Sequence, residues 1–167
     1  MFSRLAAFCY ALTIATVGVL SLSGIVNSAD NTAASTLAGD GIVKVRSVHD
    51  FNTTIELLKQ DVASKGIMFF DAIDQSKLGG NAGIKLRPST LLVFGNPPLG
   101  IQFLTSNPNA GLDWPVRLLV TEDEQGAVWA VYTDFDWIAR RHHIVDRGAA
   151  FKMASEVIAS ITGKVAK

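Results

Sequence analysis

The stretch Leu86-Arg87-Pro88-Ser89-Thr90-Leu91-Leu92-Val93-Phe94-Gly95-Asn96-Pro97 constrains the fold most. Pro88 crowds Arg87 out of the helical region and biases it toward extended backbone. Thr90 to Phe94 is then a short, β-favouring apolar run, which predicts a buried strand. Gly95-Asn96-Pro97-Pro98 stops it, because glycine permits positive φ and a proline would remove a ladder donor from a central strand. The strand therefore emerges with a polar residue at each end, Arg87 and Asn96. That arrangement suits a scaffold strand and a ligand-facing strand alike.

The flanking segments supply partners for it. Ile42 to Val48 sets Val43 and Val45 against Lys44 and Arg46, the alternation of a half-exposed strand. Asp50 is placed to cap a helix whose Phe51, Ile55, Leu58 and Val62 form one apolar stripe, and Gly66 ends it. Ile67 to Ile73 predicts a second strand, and Asp74 to Lys85, with Gly79, Gly80 and Gly83, a loop with at most a short helical turn. Asn96 is placed to cap a short helix opened by Pro97. Strands follow at Val116 to Thr121 and Ala127 to Thr133, joined by the polar turn Glu122 to Gly126. Asp134 or Asp136 caps a short helix toward His142. Phe151, Ala154, Val157, Ile158 and Ile161 mark a last helix that Gly163 closes. The order is β-α-β-β-β-β-α: an α+β fold whose antiparallel-rich sheet carries its long helices on one face.

The N-terminus has a different character. Arg4 precedes an apolar run from Leu5 to Leu20, and small residues fill Ser21 to Ala29. This layout predicts a secretory signal peptide over residues 1–29, cut after Ser28 or Ala29, and hence a periplasmic or secreted protein. The alternative is an uncleaved anchor, since the run reaches about 20 residues if Ser21 to Val26 join it. Residues 30–41 form a flexible linker and 42–167 a single domain. The chain carries 15 basic and 15 acidic residues, so no electrostatic footprint for nucleic acid or anionic lipid exists. Cys9 is the only cysteine and lies in the leader, which leaves the domain without thiol chemistry, a disulfide or Cys-ligated zinc. Once the leader is removed, no membrane association is expected.

Several of these residues resemble a family. Ile73-Asp74, Leu86-Arg87-Pro88 running into Phe94-Gly95-Asn96-Pro97, Asp113-Trp114-Pro115-Val116, Gly126 to Tyr132 and Ala139-Arg140-Arg141-His142 are similar to domain-of-unknown-function family 302, over roughly Val43 to Ile161. The resemblance implies a β-α-β(4)-α fold of the TATA-binding-protein class and a homodimer, and it implies no established reaction. Family members often have a histidine after the Ile-Asp pair. Here Gln75 stands there, which counts against a metal or haem ligand at that position.

The residues themselves offer little chemistry. His142 and His143 are adjacent, so on a helix their side chains diverge by about 100° and do not share one metal. His49 could approach them only through the fold. A metal site would need Asp71 or Asp74 as well. Ser89 or Thr90 with a histidine and Asp74 is a conceivable nucleophilic set, but no Gly-x-Ser-x-Gly elbow surrounds Ser89. Asp71 and Asp74, three apart on a strand, point to opposite faces. Leu78 to Gly83 is glycine-rich yet lacks the spacing of a phosphate cradle, so it reads as a turn or a mobile rim. Trp129 and Tyr132 fall on opposite strand faces, so at most one belongs to the core beneath the helices.

Two function classes follow. One is a dimeric binding or interaction module with a small-ligand cleft rimmed by Asp74, Arg87 and Asn96, with Trp114 and His142 as further ligand-binding candidates. The other is an enzyme or a metal or haem protein using His142 with Asp74. The first needs no cofactor and no catalytic residue. If the second and third strands pair antiparallel, Asp74 falls beside Arg87 and Asn96 at the other end of the sheet; Asp74 and Arg87 then form an ion pair that holds the intervening loop, or Arg87 presents its guanidinium to a ligand carboxylate or phosphate, oriented by Asp74.

Overall fold

The computed structural model describes residues 39–166. The signal-peptide reading, and nearly all of the linker reading, fall outside them. The elements run β1 Ile42–Arg46, α1 Phe51–Ser64, β2 Met68–Asp74, α2 Gln75–Asn81, β3 Ser89–Gly95, α3 Pro97–Ser106, a 3₁₀ turn Pro108–Leu112, β4 Val116–Glu122, β5 Val128–Thr133, α4 Phe135–Arg141 and α5 Gly148–Thr162. The strands form one sheet in the order β1-β5-β4-β3-β2, with every neighbouring pair antiparallel.

Period two decides which side chains enter the core. Thr90, Leu92 and Phe94 of β3 are buried, and their register partners Val120 and Leu118 on β4 are buried with them. Ala130 on β5 and Val43 on β1 continue the same face. Over it lie Leu58 and Val62 of α1 and Phe151, Ala154, Ile158 and Ile161 of α5. Phe103 of α3 stacks on Phe151 with ring centroids 4.1 Å apart. Each fully buried aliphatic or aromatic side chain contributes about 1.5–3 kcal/mol.

The caps follow the local chemistry. Asp50 accepts the Thr53 N–H at 2.9 Å and the Thr53 hydroxyl at 2.6 Å. Gly66, after Lys65, takes the left-handed conformation at φ 65°. Asp134, rather than Asp136, caps α4 by accepting from Trp137 N. Gly163 caps α5 in right-handed helical geometry at φ −61°, so it ends the helix without using its conformational freedom.

Two local expectations give way. The segment after Asp74 is a seven-residue helix, α2, despite Gly79 and Gly80. Asp74 nucleates it by accepting from Lys77 N at 2.8 Å and from the Ser76 hydroxyl at 2.9 Å. Asn96 stands at the N-cap of α3, but its side chain makes no cap hydrogen bond. Pro97 and Pro98 have no N–H to give, and the next two donors, Leu99 N and Gly100 N, both go to the Asn96 carbonyl.

Candidate functional site

One end of the sheet gathers most of the unusual residues. Phe94 pairs with Val116, so the exit of β3 into Gly95-Asn96 lies beside the entry to β4 from Asp113-Trp114-Pro115. The Trp114–Pro115 peptide bond is cis. Trp114 is half-buried, and its indole lies over two glycines. A Cβ on Gly95 would sit 3.2 Å from its Nε1, and one on Gly100 only 1.8 Å from it. Phe70 meets the ring edge-on, with centroids 6.3 Å apart and planes at 79°. The absence of side chains at 95 and 100 is what lets the indole close down onto α3.

Beneath it a cleft enters the molecule between α3, α5 and the end of the sheet. Its cavity volume is about 40 Å³, and it opens partly to solvent. Phe94, Phe103, Trp114, Phe135, Val157 and Ile158 are among its walls, and no charged side chain lines it. Asn96, exposed and without a cap bond, stands at its rim. Such a lining holds a neutral apolar group and excludes an unpaired charge. The two prolines also remove the donors that would make the start of α3 an anion site.

Next to this cleft lies a polar cluster. Asp113, buried, accepts from His142 Nε2 at 2.7 Å, from Arg141 Nη1 at 3.1 Å and from Arg117 Nη2 at 2.9 Å. A carboxylate only accepts, so Nε2 carries the proton. Arg117 also donates to Leu112 O at 2.7 Å, and Asn107 Nδ2 donates to the His142 carbonyl at 2.8 Å. The Arg141 guanidinium lies 5.4 Å from the centroid of Trp137. The cluster thus ties the approach to β4 to the end of α4. Close by, burial and then the Asp134 charge raise the Tyr132 hydroxyl above its usual pKa.

The five residues expected to line one site divide between the two ends of the sheet. Asn96 and Trp114 share the cleft. His142 is buried in the neighbouring cluster and is bound to Asp113, not Asp74. Asp74 and Arg87 lie at the far end, because β2 and β3 run antiparallel and Asp74 opposes Thr90. They do not pair there. Asp74 is consumed as the α2 cap, and the Lys77 N–H first, then the Ser76 hydroxyl, hold its carboxyl below the ordinary value. Arg87 reaches Glu124 instead, at 3.7 Å with both side chains exposed. A cleft rimmed jointly by Asp74, Arg87 and Asn96, or a pairing of His142 with Asp74, is therefore not what this fold builds.

The other residues weighed for chemistry separate as well. His143 is exposed at φ 52°, and His49 is half-buried beside Ser47. Among the described residues no three His, Cys, Asp or Glu side chains stand close enough to hold a metal ion. Tyr132 packs on the core, while Trp129 lies on the opposite face with its indole N–H donated to Asp123 at 2.7 Å. Asp113 is the residue that sequence reasoning passed over. Its neighbours carried the signal: Asp113-Trp114-Pro115 and Arg140-Arg141-His142 are two separate motifs of the resemblance, and they meet in space.

Known proteins share this architecture. A solved structure, that of an uncharacterized conserved DUF302 protein from Bacillus stearothermophilus, matches with a TM-score of 0.68 at 16% identity, over 75% of this chain and 98% of that one. At that identity the likeness is one of fold. Two curated relatives, each named Fluoride-specific ion channel FluC 1, come from Brucella suis biovar 1 and Brucella abortus biovar 1. Both are 33% identical over 133 residues, 80% of this chain but 51% and 48% of their own lengths. The chain thus spans about half the length of the curated relatives it matches. Among the described residues no helix is long and apolar enough to cross a membrane. Residues 43–167, which hold all of the sheet but Ile42, the cleft and the Asp113 cluster, match the family model described as Domain of unknown function DUF302, and to that family this chain belongs.

Proposed function

We propose that this chain is an exported, dimeric binding module that takes a small, neutral, apolar ligand in the cleft beside Trp114. The cleft carries the reading: it is walled by aromatic and aliphatic side chains, and the unbonded Asn96 amide at its rim offers two N–H donors and a carbonyl acceptor. His142, Asp74 and Arg87 take positioning parts, in the Asp113 cluster, the α2 cap and a surface ion pair. Export rests on Arg4 and the Leu5 to Leu20 run, and the dimer on the family resemblance. In the Brucella relatives we read the matching half as a domain joined to the channel rather than as its conduction path. A membrane-crossing helix needs about 20 apolar residues, and the described residues contain none.

Native mass spectrometry of protein purified from the cell envelope tests all three parts. The expected result is a dimer of subunits beginning at or near Asp30, carrying a small-molecule adduct that is lost in Ala154→Leu, which narrows the cleft. A retained Met1 in the membrane fraction overturns cleavage. A monomer overturns the dimer. Absence of any adduct, or an adduct unaffected by Ala154→Leu in protein that still unfolds cooperatively, overturns the cleft.

A further inference from the structure

The cleft beside Trp114 is small. At about 40 Å³ it has room for about three water-sized groups, whereas sites for small molecules run from about 300 Å³ upward. A second cavity, of about 260 Å³, adjoins it. This is a surface groove between the starts of α3 and α5, with Pro98 and Gln102 on one wall and Ala149, Ala150 and Met153 on the other. Asn96 and Leu99 line both cavities, so the two meet at those side chains. The α5 wall is continuous as well. Ala149, Ala150 and Met153 of the groove lead into Ala154, Val157 and Ile161 of the cleft along one side of the helix. At a rise of about 1.5 Å per residue that side is about 18 Å long.

We infer that cleft and groove are one elongated site and that its ligand is an uncharged single-chain amphiphile, with the end of the chain in the cleft and the polar head in the groove. The inference rests on the ligand cleft of the proposed function and names the class of ligand that fits it. Only a narrow apolar end enters the cleft, and only together with the groove does the volume reach that of an ordinary ligand site. An unbranched chain running past Leu99 meets both conditions, and a compact ring system does not.

The polar groups of the groove select the head. Asn96 makes no cap bond. Gln102 donates from Nε2 to Pro98 O at 3.0 Å, which leaves its side-chain carbonyl to accept. Two such amides suit a hydroxyl or ester head. Among the described residues no charged side chain lines either cavity. The cations on the adjoining turns of α5 are already matched. Arg147 donates to the Asp146 carboxylate at 2.6 Å and to Gln102 O at 3.3 Å, and Lys152 pairs with Glu156. A carboxylate head would therefore enter without a counter-charge.

Titration of delipidated, ¹⁵N-labelled protein with 1-decanol, 1-hexanol and decanoate, followed by amide chemical shifts, tests this. The expected result is that 1-decanol moves Gly100 and Val157 at the cleft together with Ala149 and Met153 at the groove, and binds at least tenfold more tightly than 1-hexanol or decanoate. Ala149→Trp fills the groove from an exposed position, so it should abolish the advantage of 1-decanol while 1-hexanol still reaches the cleft. Met153→Glu, also exposed, should do the same, and it serves where the indole disturbs the start of α5. If 1-decanol binds no more tightly than 1-hexanol, or keeps its advantage in both variants, the groove is overturned and the cleft stands. Decanoate binding as tightly as 1-decanol overturns the uncharged head. If none of the three moves Gly100 or Val157, the cleft of the proposed function falls and this inference with it.

Discussion

The indole nitrogen of Trp114 lies 1.8 Å from the point a Cβ on Gly100 would occupy. Gly100 is inside α3, where alanine would ordinarily be favoured by about 1 kcal/mol. The clash decides the sign, since forcing an extra methyl group into a packed site costs about 1–3 kcal/mol. Gly100→Ala should therefore lower the urea midpoint. Trp114→Ala in the same background should remove the penalty of the methyl group, measured as a double-mutant cycle. A Gly100→Ala protein more stable than the wild type would show that Trp114 does not lie where it is described.

Asp113 holds three donors, and its side chain is only 4% exposed. Asp113→Ala leaves the His142 N–H without an acceptor inside the protein and should cost about 3 kcal/mol. Arg117→Ala should cost under about 1 kcal/mol, because that guanidinium is half-exposed and solvent screens the pair. Equilibrium denaturation of both variants checks the order, and a larger loss from Arg117→Ala would contradict the cluster as built.

Ile158 is 2% exposed, while Ile55 packs only partly on the core. Ile158→Asp should cost several kcal/mol, of the order of 4, since the carboxylate enters the core with no partner. Ile55→Asp should cost distinctly less because its carboxylate can reach water. Thermal unfolding of the pair reads this directly, and equal losses would mean that α1 is seated deeper than described.

Four carboxylates, Asp50, Asp74, Asp123 and Asp146, are held below the ordinary value of 3.8. Hydrogen bonds to the ionised form are the leading cause in each: the Thr53 hydroxyl, the Lys77 N–H, the Trp129 indole and the Ser106 hydroxyl respectively. A carboxyl whose folded pKa is depressed contributes stability that is fully present above its unfolded pKa and is lost as pH falls through the folded one. The melting temperature should thus be flat with respect to these groups from neutrality to about pH 5 and decline below it. Asp50→Asn keeps a competent N-cap but does not titrate, so it should shrink the acid decline with little change at pH 7. Stability rising between pH 5 and pH 3 would contradict the assignment.

Much of the fold was legible because it depends on local periodicity. The apolar run Thr90 to Phe94 named a buried strand, the stripe Phe51-Ile55-Leu58-Val62 named the core-facing side of α1, and Asp50 and Gly66 named the ends of α1. Where reading failed, a backbone accounting beyond the single residue decided. Asp74 turned a glycine-rich loop into α2 through two hydrogen bonds, and Pro98 deprived Asn96 of a donor to cap.

What the sequence by itself determined is the order of the strands and the long helices, the core-facing side of those helices, and the family. These follow from side-chain period, turn chemistry and motif spacing, all written within a few residues. The site was decided only by tertiary structure. Antiparallel pairing of β2 with β3 separated Asp74 and Arg87 from Asn96 as expected for that pairing, while the return of α4 brought His142 onto Asp113 across 29 residues, a contact no spacing in the sequence announced. Contacts between segments so far apart depend on which strands pair and in which register, and no local pattern records that.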